Sequence, residues 1–174
     1  MPAPWLRHFP AGRFRIPIMK PSLGRNIRRL FAGTLVAGAL VLSLYAATAE
    51  EQAVLAPVEA LFAGMAKRDA AAIRAPLLPG GTMVLMREGK PVQMTFEEFA
   101  ERVGKPGKAP IEERIHDPLV RVDHDLAVVW APFEFLVDDK LDHCGTDLFN
   151  LVRVEGKWLI ASVADTGRKD CAAR

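Results

Sequence analysis

The chain has 174 residues, half of them hydrophobic, with 23 basic and 21 acidic side chains. Residues 1–49 hold seven of the basic side chains and none of the acidic ones, so residues 50–174, with 16 basic against 21 acidic, carry a net charge of −5. Because nucleic-acid binding needs clustered cations, we expect no nucleic-acid partner.

A basic segment, an uncharged apolar run and a small-residue site follow one another near the amino terminus. Three arginines precede the run 30–45, and Ala47-Thr48-Ala49 follows it. This order is typical of a secretory signal peptide. We therefore expect an N-terminal extension and signal peptide over residues 1–49, cleavage after Ala49, one domain over residues 50–174, and a periplasmic or secreted product.

Two alternatives stay open for this segment. The apolar run approaches the roughly 18 residues that span a bilayer, so an uncleaved anchor is the competing interpretation. If cleavage occurs, the membrane is a partner only through the signal segment before cleavage. Met19-Lys20 is an ordinary signal-peptide start, so translation begins at either Met1 or Met19.

Apolar residues at helical spacing predict a first helix over residues 53–67. Pro57 fits this helix best if the regular part begins there, since proline is tolerated in a first turn. Asp69 is expected to cap a short second helix. The sequence Thr95-Phe96-Glu97-Glu98 has the pattern of a capping box, which predicts the start of a third helix.

The hydrophobic period changes to two after Pro110, which predicts long strands. They cover residues 111–122 (with a bulge or an edge position at Pro118), 126–137, 141–154 and 158–165, after a short hairpin of 82–87 and 92–94 and a turn at 79–81. The predicted fold class is α+β, with a curved antiparallel sheet packed on about three N-terminal helices.

Cys144 and Cys171 are the chain's two cysteines. In an oxidising compartment an even number of cysteines favours pairing. A disulfide would tie the C-terminal tail to a central strand and stabilise the fold by about 3 kcal/mol through loop-closure entropy. Two unpaired thiols are the alternative.

The third long strand carries the candidate site. Alternation places His143, Asp147 and Phe149 on one face, where titratable groups give way to apolar bulk. On the neighbouring strand, Trp130 and Glu134 share a face, and the indole offers an N–H donor and a flat wall. These five residues are predicted to line a pocket for a small apolar or aromatic ligand.

His143 and Asp147 are the best candidates for acid/base catalysis, because such work needs a pKa near the operating pH. The alternative is that they hydrogen-bond each other or nearby backbone. Asp165 is interpreted as a cap or turn group after the last strand. A metal site needs three or four convergent ligands, and the set of His116, Asp123, His124 and Asp125 is too loosely spaced to predict one. We expect no metal and no cofactor.

Several motifs carry a resemblance to a known superfamily. They are Arg68-Asp69 at the end of the first helix, WAPFEF at 130–135, HCGTDLF at 143–149, and GKWLI at 156–160 followed by Asp165-Thr166. In these motifs the chain resembles the nuclear transport factor 2-like superfamily, which includes ketosteroid isomerase and the SnoaL-like polyketide cyclases. More narrowly, it is similar to exported bacterial proteins labelled lumazine-binding.

The resemblance implies a cone-shaped fold with a cavity between sheet and helices. It implies, first, an exported small-molecule-binding domain. The alternatives are a lyase or isomerase that moves a proton through His143 and Asp147, and an interaction module that forms a homodimer through its open sheet face. The chain's one tyrosine, Tyr45, lies in the signal segment, so the domain lacks the tyrosine donor of the isomerase relatives.

Overall fold

The computed structural model describes residues 48–106 and 109–171. The predicted signal peptide and the two start positions therefore lie outside the described residues, apart from the end of the cleavage site. The elements in chain order are α1 (Ala49–Lys67), α2 (Ala70–Arg74), β1 (Leu77–Arg87), β2 (Lys90–Thr95), α3 (Phe96–Val103), β3 (Ile111–Ile115), β4 (Leu119–Asp123), β5 (Leu126–Val137), β6 (Lys140–Val154) and β7 (Lys157–Arg168).

Side-chain caps start each helix. Asp69 accepts the backbone N–H groups of the first turn of α2, and Thr95 and Glu98 form the predicted capping box of α3. Helix α1 begins earlier than predicted, because Thr48 and Glu51 also form a capping box. Since Thr48 belongs to the predicted cleavage site, cleavage after Ala49 would remove this cap.

Pro57 lies inside α1, which corrects the expectation that the regular helix begins there. Proline has no backbone N–H, so it removes one hydrogen bond of the helix. The ring is buried in the interior face of α1. None of the three helices in the described part of the chain combines the length and apolar character needed to cross a membrane.

The seven strands form one open sheet in the order β2-β1-β7-β6-β5-β3, with β4 also paired to β5. The α+β fold class is confirmed, and one pairing differs from the predicted antiparallel sheet. Strands β1 and β7 are parallel, whereas the other pairs are antiparallel. The sheet is therefore mixed, and β1 joins the β1–β2 hairpin to the long C-terminal strands.

The predicted strand 111–122 is two strands, β3 and β4, that pair with successive parts of β5. Asp117 has a left-handed backbone (φ 43°), and Pro118 has no N–H to donate to the ladder. These two residues therefore interrupt the strand, and β4 begins directly after them. The predicted turn at 79–81 is an irregular stretch inside β1, where Gly80 has φ 84°.

The core lies between α1 and the inner face of the sheet. Residues at alternate positions of the long strands point inward, and the largest fully buried side chains are Phe149, Ile73, Leu151, Ile160, Val54, Val58 and Val129.

On the opposite, outer face of the sheet, the predicted Cys144–Cys171 disulfide is confirmed, with Cα atoms 5.8 Å apart. It ties the C-terminal tail to β6.

Candidate functional site

A cavity of about 290 Å³ lies between the helices and the inner face of the sheet. Most of its wall is apolar. The ring of Phe62 meets that of Phe149 edge-on at 6.0 Å between centroids, and both line the cavity. The polar groups that line it are Arg68, Arg87, Glu113, His143, Asp147 and Asp165.

One ion pair crosses the inner end of the cavity. Arg87 Nη1 and Nη2 donate to Asp165 Oδ1 and Oδ2 at 2.6 and 2.7 Å, and the backbone N–H of Met86 donates to Oδ1 at 3.1 Å. Gly167 leaves room for this guanidinium, because a Cβ there would lie 2.6 Å from Nη1. The pair links β1 to β7 and is half-exposed only on the arginine side.

Asp147 and Glu113 form a second, acidic pair beside that bridge, on β6 and β3. Asp147 is 3% exposed, and its Oδ2 atom is buried without a hydrogen-bond partner among the described residues. Burial, followed by the charge of Glu113, raises the pKa of Asp147 well above its usual range. Burial and the neighbouring carboxyl group therefore favour the protonated form of Asp147.

Glu113 is the partner that titrates near neutrality. Burial raises the pKa of Glu113 to about 7, although its hydrogen bond with Asp147 lowers it. Because two carboxylates this close cannot both ionise cheaply, the pair shares a proton. In that state Asp147 acts as the donor and Glu113 as the acceptor, inside an otherwise apolar cavity.

His143 forms another part of the wall, held by aromatic and acidic neighbours. Its ring stacks on Phe135 at 4.7 Å between centroids and meets Phe133 edge-on at 5.6 Å. Its Nδ1 lies 2.9 Å from Asp142 Oδ2. The imidazole, whether neutral or charged, donates its Nδ1–H to the Asp142 carboxylate. This hydrogen bond fixes the orientation of the ring.

The structure places His143, Asp147 and Phe149 in the wall of this one cavity. However, His143 and Asp147 have different partners rather than each other. Four residues along a strand span about 13 Å, which is too far for direct proton sharing. The carboxyl group that faces Asp147 is Glu113.

Trp130 and Glu134 do not line this cavity, which corrects their predicted place in the pocket. In the β5–β6 ladder, Trp130 pairs with Leu148 and Glu134 with Cys144, so both lie on the outer face of the sheet. Trp130 is 51% exposed there. Glu134 borders a separate depression, where its Oε2 lies 3.5 Å from Nε2 of His116. The predicted homodimer through this face stays a prediction.

A bulge explains the error. Leu136 pairs with Leu141, but Phe135 pairs with His143, so Asp142 is an extra residue in β6. A regular hairpin would have placed Glu134 opposite His143. One extra residue moves every later side chain of the strand to the other face relative to its neighbour.

The sequence analysis did not predict that Glu113, Arg87 and Asp165 belong to the site. A signal existed for Glu113, because it shares a strand face with Ile111 and Ile115, where a carboxylate is unexpected. Asp165, interpreted as a cap or turn group, is a buried member of β7, which continues to Arg168. Within residues 48–106 and 109–171, no three His, Cys, Asp or Glu side chains are arranged to hold a metal ion.

A family model described as "Putative lumazine-binding" matches residues 49–164, more than half of the chain. The chain belongs to this family. The lumazine-binding match begins with α1 and includes both Glu113 and Asp147. Asp165 is the first residue after it. Comparison with curated proteins found no match.

Solved structures share the fold. An "NTF2-like protein of unknown function" from Pseudomonas putida KT2440 is 16% identical with a TM-score of 0.60, over 73% of this chain and 99% of that one. A counterpart from Silicibacter pomeroyi DSS-3 is 21% identical (TM-score 0.56, 71% and 100% covered). A "cystatin-like fold" protein from Nostoc punctiforme PCC 73102 is 10% identical (TM-score 0.57, 71% and 95% covered). At these identities the likeness shows the nuclear transport factor 2-like, cystatin-like fold alone.

We predict that Glu113 makes the fold less stable as the pH rises. Its pKa is about 7 in the fold against an ordinary 4.5, so the folded state binds more protons than the unfolded chain between these values. The free energy of unfolding therefore falls from about pH 4.5 to about pH 7, by on the order of 2 kcal/mol from this site. Urea denaturation at about pH 5 and about pH 8 measures the fall, and Glu113→Gln should reduce it.

Glu112→Gln is the matched control. Glu112 is the adjacent residue of β3, half-exposed and paired with Arg114, so its loss should leave the pH dependence between those two values unchanged. Equal falls in the wild type and in Glu113→Gln would contradict the assignment.

Proposed function

We propose that the protein binds a small, flat heteroaromatic molecule in the inner cavity. Its volume of about 290 Å³ is at the lower end of the range for small-molecule sites, which suits a bicyclic ring rather than a large ligand. The apolar and aromatic wall supports this class. The family description supports a lumazine, a bicyclic ring system that carries one cyclic imide, an N–H between two carbonyl groups.

The acidic pair is the observation that carries this proposal. A cyclic imide presents a carbonyl acceptor next to an N–H donor. When such an edge binds, Asp147 turns its proton from Glu113 to the ligand carbonyl, and Glu113 accepts the hydrogen bond of the ligand N–H instead. The buried Oδ2 of Asp147, without a partner among the described residues, leaves a hydrogen-bonding site for a ligand to satisfy. A ligand edge would give this buried oxygen atom a hydrogen-bond partner. Binding would therefore form a hydrogen bond and also offset the cost of having buried the oxygen without one.

We predict that lumazine binds and that Asp147→Ala weakens its binding by about tenfold or more, because a hydrogen bond to a buried acid is lost. Titration of lumazine fluorescence at about pH 7.5, above the pKa of about 7 of Glu113 so that this carboxylate can accept a hydrogen bond, measures both dissociation constants. Glu134→Gln, a carboxyl change on the outer face, is the control and should bind as the wild type does. No saturable binding to the wild type up to about 1 mM would contradict the proposal.

A second candidate is proton transfer by the same pair, as a lyase or isomerase. Two carboxyl groups with raised pKa values in an apolar cavity are a common arrangement for acid/base catalysis. One carboxylate would remove a proton next to a ketone, and the other carboxyl would return a proton at the far end of the resulting enol. In this version Glu113 replaces His143 as the partner of Asp147.

The test is isomerisation of 3-cyclohexen-1-one to its conjugated isomer, followed by ultraviolet absorbance. Catalysis should rise with pH to a plateau near the pKa of Glu113, about 7, and Glu113→Gln should lower kcat by at least about a hundredfold. The control Glu112→Gln should keep full activity. If the wild type is no faster than the Glu113→Gln variant, the protein does not catalyse this reaction through Glu113.

We also propose that the protein works outside the cytoplasm, in the periplasm or as a secreted protein. The N-terminal sequence pattern and the Cys144–Cys171 disulfide support this, because structural disulfides persist in oxidising compartments. N-terminal sequencing of the protein from fractionated cells should give Glu50 in the periplasmic or secreted fraction. An intact terminus at Met1 or Met19 in the cytoplasmic fraction would contradict it.

A further inference from the structure

A second depression, also of about 290 Å³, adjoins the inner cavity. The two share part of their walls, including Arg68, Arg87 and Phe99, so they lie side by side. Some residues line the second depression but not the inner cavity. They include Val92, which is 39% exposed, and the exposed Arg102. This depression is therefore the side of the cavity nearer to solvent, and we call Arg68, Arg87 and Arg102 the arginine mouth.

The charge of the arginine mouth is opposite to that of the inner end. Of the described residues that line the second depression, three are arginines and none is acidic. The inner end holds three carboxyl groups, from Glu113, Asp147 and Asp165, and reaches the guanidinium of Arg87. Two adjoining depressions thus differ in charge, with carboxyl groups in one and arginines alone as the charged residues of the other.

Among residues 48–106 and 109–171, no carboxylate lies within ion-pair distance of Arg68. Its Nη1 donates to the carbonyl of Val103 at 3.3 Å, and its Nη2 donates to the carbonyl of Ala109 at 2.9 Å. Carbonyl oxygens carry only partial negative charge, so they fix the guanidinium in place without neutralising it. The group is held at the boundary between the two depressions by α3 and the segment after it.

Arg102 and Arg87 differ in their partners. Arg102, in the last turn of α3, has no carboxylate within ion-pair distance among the described residues, whereas Arg87 is already paired with Asp165. Arg68 and Arg102 are therefore the two cations of the mouth whose charge is available. A group bound there would meet the guanidinium of Arg68, which two carbonyl groups hold in place, and the exposed guanidinium of Arg102.

We propose that the ligand of this cavity carries an anionic substituent, such as a carboxylate, which binds at the arginine mouth while the ring occupies the inner cavity. This inference rests on the proposed binding function and adds the charge of the ligand to it. An elongated molecule satisfies both ends at once, with its hydrogen-bonding edge at Asp147 and Glu113 and its anion at Arg68 and Arg102. A neutral ligand would leave the cationic end unused.

A purely structural role for Arg102 makes a different prediction. A cation in the last turn of a helix interacts favourably with the helix dipole, which would contribute to stability alone. Such a role would not make binding depend on the charge of the ligand. The decisive readout is therefore selectivity between a charged and a neutral ligand of the same shape, not affinity or stability by itself.

The test uses lumazine-6-carboxylate and lumazine-6-carboxamide, which have similar shape and differ in charge. Fluorescence titration of the wild type should show the carboxylate binding about fivefold to tenfold more tightly, a modest factor because the mouth is partly exposed. Arg102→Gln should remove most of this preference, because it should weaken carboxylate binding more than carboxamide binding. The preference of the wild type should also shrink as salt screens the mouth.

Arg121→Gln is the matched control, because Arg121 is exposed on β4 and lies outside both depressions. It should keep the full preference. Equal affinity of the wild type for the two probes, or an undiminished preference in Arg102→Gln, would overturn this inference while leaving the proposed function intact. Failure of both probes to bind would instead contradict the proposed function.

Discussion

The Arg87–Asp165 ion pair is the interaction on which the rest of the site depends. It spans the parallel β1–β7 contact, which joins the N-terminal hairpin to the long C-terminal strands. It also determines the charge balance beside the acidic pair, because the guanidinium of Arg87 faces three carboxyl groups, those of Asp165, Glu113 and Asp147. Because that guanidinium is bound to Asp165 through two hydrogen bonds, Asp147 and Glu113 must lower their charge by sharing a proton.

The two ends of the cavity follow from this balance. At the inner end, the shared proton creates an adjacent donor and acceptor without a full pair of buried charges, which an apolar cavity would not tolerate. At the solvent side, Arg68 and Arg102 have no carboxylate partner among the described residues and keep their charge. A fold used for many functions thus acquires a polarity of its own, set by side chains on β3, β6, α3 and the end of α1.

The sequence predicted the fold far better than it predicted the site. Strand β5 has the predicted bounds, 126–137, and β6 and β7 start within one residue of theirs, because alternation of apolar residues is a local signal. Within a single strand, alternation also grouped His143, Asp147 and Phe149 correctly in one wall. Which faces of two neighbouring strands point the same way depends on their pairing register, and the register is not a local signal. The bulge at Asp142 shifts this register, so Trp130 and Glu134 lie on the face opposite to that of His143 and Asp147. The pairing of Glu113 with Asp147 depends on β3 and β6 approaching across a curved sheet, which no spacing in the chain encodes.

The most direct test is a carbon-13 NMR titration of the side-chain carboxyl groups of Glu113 and Asp147 in the ligand-free protein. The account predicts a midpoint for Glu113 near 7 and a midpoint for Asp147 well above the usual range of an aspartic acid. Asp147→Asn, which removes the partner's proton-sharing carboxyl, should alter the midpoint of Glu113. Two independent titrations near the ordinary values of about 4 would contradict a shared proton and, with it, the proposed donor and acceptor of the cavity.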